Sequence, residues 1–162
     1  MKGKDEFELA LKYEKGDGVQ QDWFEVVKYL HQAVNLGHTG AMVRLGKAYK
    51  GGHGVERSIT KAVELFRRAV SSGDSDALVE LGHCYENGTG VEIDQDRAME
   101  LYKRATGQGN GDAMYSIGCM FFNGRGVSRN KRIGIQWWRK ASEHGSIEAM
   151  NSLCLLYTSD AA

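Results

Sequence analysis

Residues 77–112 read ALVELGHCYENGTGVEIDQDRAMELYKRATGQGNGD, and the same pattern recurs without a gap in residues 41–76, in residues 113–148 and, upstream, in residues 5–40, a period of 36. Gly16, Gly52, Gly88 and Gly124 share one offset; Gly18, Gly54, Gly90 and Gly126 fall two further on, each followed by a valine. Ala33, Ala69, Ala105 and Ala141 are in register, as are Gly37, Gly73, Gly109 and Gly145. Self-similarity at a fixed period of this length marks a stacked array, in which each repeat buries its apolar face against its neighbours.

Each repeat reads as two helices. In the first, Ala41, Leu45 and Tyr49 recur as Ala77, Leu81 and Tyr85 and as Ala113, Ile117 and Phe121; a spacing of four keeps them on one helical face. Gly46, Gly82 and Gly118 lie on that stripe inside the helix, where glycine costs ~1 kcal/mol against alanine, so the expectation is close backbone approach by a neighbouring helix. Ala10 stands there in the first repeat. The G-x-G-V turn ends the helix. Asp22, Ser58, Asp94 and Asn130 then share an offset suited to capping a second helix, and Asp22 with Glu25 resembles a capping box. The second-helix core positions follow as Val26, Ala62, Ala98 and Gly134, then Leu30, Phe66, Tyr102 and Trp138. Trp137 and Trp138 are thereby assigned to core packing rather than to a stacking platform.

These residues together, A-x3-L-G-x2-Y-x2-G-x-G-V-x2-D-x3-A-x6-A-x3-G, resemble the Sel-one-like repeat (SLR), a relative of the tetratricopeptide repeat. The resemblance runs from residue 5 to about residue 157. It implies an all-α fold, a right-handed α-solenoid of antiparallel helix pairs with repeats at 5–40, 41–76, 77–112 and 113–148 and a partial fifth or terminal helix at 149–157. The pattern departs from the family mainly at Asp5 and Ala10 in the first copy and at Ile133 and Gly134 in the last. Because the chain opens almost inside a repeat, it is expected to be a segment of a longer array. The stretch CLLYTSDAA, residues 154–162, reads as a non-native extension.

Composition narrows the function. The chain has 162 residues, 41% hydrophobic and 26% charged, with 21 glycines and no proline. Its 21 Lys and Arg balance 21 Asp and Glu, which removes the whole-chain electrostatic case for nucleic acid or an anionic membrane. No run approaches the ~20 apolar residues of a membrane span, and the N-terminus lacks the apolar core of a signal peptide, so a cytoplasmic location is expected. Cys84, Cys119 and Cys154 form no C-x-x-C pair and read as reduced thiols. His31, His38, His53, His83 and His144 fall at different offsets without ligand spacing, so no metal or cofactor is expected. G-x-G-V follows no strand and lacks the P-loop lysine, and no nucleophile signature is present; a structural turn without catalytic residues is the reading.

The charge balance is not uniform. The four repeats carry net charges of −4, +3, −4 and +4 in chain order. This alternation either helps to fix the order of neighbours or reflects chance placement on solvated faces. In the last repeat, Arg125, Arg129, Lys131 and Arg132 form a basic turn, suited to an acidic partner or to solvent.

At about 100° per residue, offsets 2, 6 and 9 of the first helix point away from its packing side. They hold Phe7, Val43, Val79 and Tyr115, then Leu11, Lys47, His83 and Cys119, then Glu14, Lys50, Glu86 and Phe122. Apolar, charged and titratable side chains in parallel columns suit a protein or peptide segment laid along a concave first-helix wall; the competing reading is that the offset-2 column packs between neighbouring first helices. The expected function is a non-catalytic scaffold or adaptor, as the resemblance also implies. Two alternatives stand beside it: a regulatory or targeting repeat domain of a larger enzyme, and a β-lactamase-like hydrolase of the cysteine-rich SLR type. Members of that last group pair cysteines within each repeat, and these single cysteines do not match them. Partner identity and oligomeric state are not encoded in these motifs.

Overall fold

The computed structural model describes residues 2–159, with side chains through Leu156. Among the described residues there are nine α-helices and no strand: α1 (Lys4–Lys15), α2 (Trp23–Asn35), α3 (Thr39–Gly51), α4 (Ile59–Ser71), α5 (Ser75–Asn87), α6 (Gln95–Thr106), α7 (Gly111–Asn123), α8 (Lys131–Glu143) and α9 (Ile147–Ser159). Of the terminal stretch 154–162, residues 160–162 lie outside the described residues, and the backbone before them belongs to α9. The chain divides into two compact units, residues 1–80 and 81–162.

Within the N-terminal unit α1 packs on α2, α2 on α3 and α3 on α4; within the C-terminal unit α6 packs on α7, α7 on α8 and α8 on α9. The second-helix caps act as expected. Asp22, Ser58, Asp94 and Asn130 each accept an amide hydrogen from the first turn of α2, α4, α6 and α8. The capping box, however, is only half formed. Glu25 turns to Lys28 at 2.8 Å, and the Asp22 amide donates to the Tyr13 carbonyl. That last bond recurs from Ser58 to Tyr49, Asp94 to Tyr85 and Asn130 to Phe121, so the aromatic end of each first helix already occupies the cap's own amide.

A second column of caps went unread in the sequence. His38 Nδ1, Asp74 Oδ1, Asn110 Oδ1 and Ser146 Oγ accept from the amides of Ala41, Ala77, Ala113 and Ala149. They start the first helices as the other column starts the second. Their signal was the polar residue following each of Gly37, Gly73, Gly109 and Gly145, obscured by a histidine in one copy.

The helix-interior glycines correct one expectation. A Cβ on Gly46 would lie 2.5 Å from Phe66 Cε1, and one on Gly82 would lie 2.5 Å from Tyr102 Cε1. The approaching group is an aromatic ring of the second helix, not a backbone. Gly118 has both among its nearest neighbours, with Trp138 against it and the Gly134 carbonyl oxygen 2.9 Å from its would-be Cβ. Where the first repeat has Ala10, its second helix carries Leu30 rather than an aromatic residue, and both are buried. Glycine thus accompanies the large flat ring, and Trp138 joins Met114, Ala141 and Ala149 in the core of the C-terminal unit.

Candidate functional site

In the N-terminal unit the first helices lie side by side and are joined by charge. Glu14 of α1 accepts from Arg44 Nη1 of α3 at 2.6 Å. Glu80 of α5 accepts from Lys47 Nζ at 3.0 Å and from Lys50 Nζ at 2.8 Å, both on α3. In the C-terminal unit Arg125 reaches Glu86 at 3.0 Å. Each of these four pairs joins a basic repeat to an acidic one.

Burial by itself would raise the Glu80 carboxyl, but the Lys50 hydrogen bond and the charges of Lys47 and Lys50 outweigh it and hold it below the 4.5 of an isolated glutamate. A depressed carboxylate stabilises the fold above the unfolded-state value and loses that contribution as pH falls through the folded one. Glu80→Gln is therefore expected to cost about 1 kcal/mol near neutrality, with the gap to wild type closing as pH falls below about 4.5. Urea unfolding across acid pH measures it; a gap that persists unchanged would show that the ion pair contributes nothing.

Two surface cavities open beside these ion pairs, the first of them walled in part by α2. One, about 240 Å³, lies among Glu14, Trp23, Leu30 and His53; the other, about 230 Å³, among Phe7, Val43, Asp74 and Asp76; Arg44 and Lys47 line both. The Phe7 ring stacks on His38 at 4.3 Å, with the Arg44 guanidinium 6.0 Å from its centre. Trp23 meets the His53 ring at 5.2 Å. The ridge between the cavities thus presents two exposed cations with an aromatic wall on either side.

The C-terminal unit holds a polar cluster beneath its surface. Tyr102 donates its hydroxyl to Glu86 Oε2 at 2.7 Å, Arg125 donates to Oε1, and His83 Nε2 lies 3.1 Å from Ser116 Oγ. Burial, and then the hydrogen bond to Glu86, push the Tyr102 phenol far up, so it stays a donor at every ordinary pH. Tyr102→Phe leaves one oxygen of a buried carboxylate without its donor, and a loss of about 2 kcal/mol is expected in urea unfolding. A change below about 0.5 kcal/mol would mean that water replaces the hydroxyl without cost.

The sequence-derived partner residues separate into groups. Phe7, Val43 and Lys47 line one cavity, and Lys47 and Lys50 both pair with Glu80; Leu11 is half-buried on α1. Tyr115, Cys119 and Phe122 gather around Trp138: the Tyr115 hydroxyl is 3.1 Å from Ser152 Oγ, and Phe122 stacks on the indole at 4.6 Å. Burial pushes the Cys119 thiol up, away from the thiolate form.

The outward orientation expected for Val43, Val79 and Glu86 is corrected, since they are 5%, 5% and 8% exposed. The first helices α1, α3 and the start of α5 approach closely enough for the ion pairs above, which leaves a short branched Val43 below the ridge of longer side chains. Glu86 turns inward to the Tyr102 hydroxyl. His83 stands half-buried beside Ser116. Arg44, Trp23 and His53 were not read as surface residues from sequence; the complementary signs of Glu14 and Arg44 were the available signal. Among the described residues no group of three or more His, Cys, Asp or Glu is placed to hold a metal ion, and no helix is long and apolar enough to cross a membrane.

Helix pairs at a constant period, capped alike and joined through their first helices, define a helical-repeat protein of the solenoid class. The Sel1 repeat family model matches residues 5–38, 39–74, 75–110 and 111–146, and the chain belongs to that family. Sel1 repeat proteins are generally protein-interaction scaffolds, mostly non-catalytic. The fold is similar to that of a Sel1 repeat protein from Oxalobacter formigenes, with a TM-score of 0.82 and 28% identity over 91% of this chain and 60% of the other. It is also similar to a protective antigen of uropathogenic Escherichia coli displaying an SLR fold, with a TM-score of 0.79 and 29% identity over 98% of this chain and 34% of the other. The cysteine-rich protein B of Helicobacter pylori shares the fold at a TM-score of 0.57 and 24% identity, over 78% of this chain and 96% of its own. The chain therefore spans 60% and 34% of the first two relatives. No curated protein matches it in sequence.

Proposed function

We propose that this chain is a non-catalytic interaction module that takes a protein or peptide segment along the first-helix face of its N-terminal unit. The observation that carries this reading is the pair of adjacent cavities sharing Arg44 and Lys47. Neighbouring recesses of this kind accept successive side chains of an extended segment, while the two cations and the flanking Glu14, Asp74 and Asp76 fix its polar atoms. Small, open and mixed in charge, they suit a side chain better than an enclosed small-molecule ligand.

The test is a pull-down with the full chain from lysate of the source organism, comparing wild type, Arg44→Ser/Lys47→Ser, and the second-helix variant Lys61→Ser/Arg68→Ser, all matched for helicity by circular dichroism. A protein held by wild type and by the second-helix variant but lost from the first-helix variant supports the reading. Loss from the second-helix variant alone would transfer the binding face to α2 and α4 and overturn it.

A further inference from the structure

The basic turn between α7 and α8 carries more cations than the repeat fold requires, although Arg125 pairs with Glu86 and Arg129, like Arg57 in the second repeat, donates to a first-helix carbonyl. At the offsets of Arg125, Arg129, Lys131 and Arg132 the first repeat has Asp17, Gln21, Trp23 and Phe24, and the third has Thr89, Ile93, Gln95 and Asp96. The repeat fold forms with acid, amide, aromatic or aliphatic residues at these places. From Ala113 through Ser142 there is no Asp or Glu, while six Lys and Arg stand between Arg125 and Lys140. Among the four cations of the turn only Arg125 has a carboxylate in ion-pair contact among the described residues, and its side chain is still 52% exposed.

Three of the four cations are also held by contacts of their own. Arg129 Nε donates to the Phe122 carbonyl at 3.3 Å, Lys131 Nζ sits 5.3 Å from the centre of the Phe122 ring, and Arg125 is anchored on Glu86. Phe122 is half-buried, braced from behind by Trp138. Long side chains fixed before a ligand arrives lose less entropy on binding.

We infer that the α7–α8 turn is a docking surface for an acidic protein segment, whose carboxylates meet Arg125, Arg129, Lys131 and Arg132 around Phe122. The inference rests on the reading of the chain as an interaction module and gives the partner's chemistry for the C-terminal unit. Complementary charge favours a short acidic segment over an extended polyanion. Residues 81–162 carry nine Lys and Arg against nine Asp and Glu, and Glu92, Asp94, Asp96 and Glu100 of the same unit would repel a nucleic acid or an anionic membrane that extends past the turn.

Fluorescence anisotropy with the full chain tests it, using a labelled peptide of alternating Glu and Leu, the same peptide with Gln for Glu, a labelled oligothymidylate, and phosphatidylserine vesicles added as competitor. The variants are Arg129→Glu/Arg132→Glu and, as a control of equal charge in the same unit, Lys103→Glu/Arg104→Glu. The Glu peptide is expected to bind wild type and the control alike, to bind the turn variant roughly tenfold more weakly, and to outbind its Gln counterpart. Equal weakening by both variants would reduce the effect to net charge and overturn the proposal. So would absence of Glu-peptide binding, or tighter binding of the oligonucleotide or vesicles. If the peptide fails while the Arg44/Lys47 variant still loses its lysate partner, the docking surface falls and the interaction module stands.

Discussion

Gly54→Ala is expected to destabilise the chain by about 3 kcal/mol in urea unfolding followed by far-UV circular dichroism, whereas Gly18→Ala, the same substitution at the same repeat offset, is expected to cost only about 1 kcal/mol. Both glycines have left-handed backbone, φ +69° in each, so both variants carry the steric cost of a Cβ there. They differ in what surrounds them. A Cβ on Gly18 would meet nothing nearer than Lys12 Cε at 3.9 Å, while one on Gly54 would run into the carbonyl of Trp23, at the start of α2 in the preceding repeat. Backbone cannot step aside as a flexible side chain can. Gly126, whose would-be Cβ lies 2.5 Å from Gln95 Cβ, a side-chain atom but one bonded directly to the α6 backbone, should behave like Gly54. Equal losses at Gly18 and Gly54 would mean that backbone conformation alone selects these glycines and that the turn carries no contact between repeats.

Gly118→Ala is the second large effect, with an expected loss of 2–3 kcal/mol, at the upper end of the ~1–3 kcal/mol typical of overpacking. The obstacle is double: the Trp138 indole, with Nε1 2.6 Å away, and the Gly134 carbonyl oxygen at 2.9 Å. Relief requires α7 and α8 to separate. At Gly46 the three nearest atoms all belong to the Phe66 ring, and the ~1 kcal/mol gained from alanine's helix propensity offsets part of the strain, leaving a net loss of about 1 kcal/mol. Adding Phe66→Leu to Gly46→Ala recreates the alanine and leucine found in the first repeat and should return much of that loss. If Gly46→Ala alone is neutral, the ring has room to shift and the pairing of glycine with aromatic residues is not a packing constraint.

These effects bear on the proposed function because a binding face made from several helices keeps its geometry only while the repeats keep their spacing. Arg44, Lys47 and Phe7 lie on α1 and α3, so their cavities depend on the contact that Gly54 permits between the second and first repeats. The ion pairs between repeats add little energy each. A displaced repeat would set Glu14 against an acidic neighbour instead of Arg44.

Much of this architecture was legible in the chain itself. The 36-residue period, the helix pairs, the cap column of Asp22, Ser58, Asp94 and Asn130, and the core place of Trp138 follow from spacing and residue type. They are local properties, set by hydrogen bonding within a turn and by the angular position of a side chain about its own helix. Only the tertiary structure decided that an aromatic ring rather than a backbone fills the space over Gly46, that Val43 lies below the ridge while Lys47 stands above it, and that Glu86 turns inward to Tyr102. Helical periodicity specifies direction but not distance. Whether a side chain reaches solvent depends on its length against the gap to the next helix, and that gap is set jointly by residues 20 or more positions apart, such as Gly46 with Phe66 and Gly54 with Trp23.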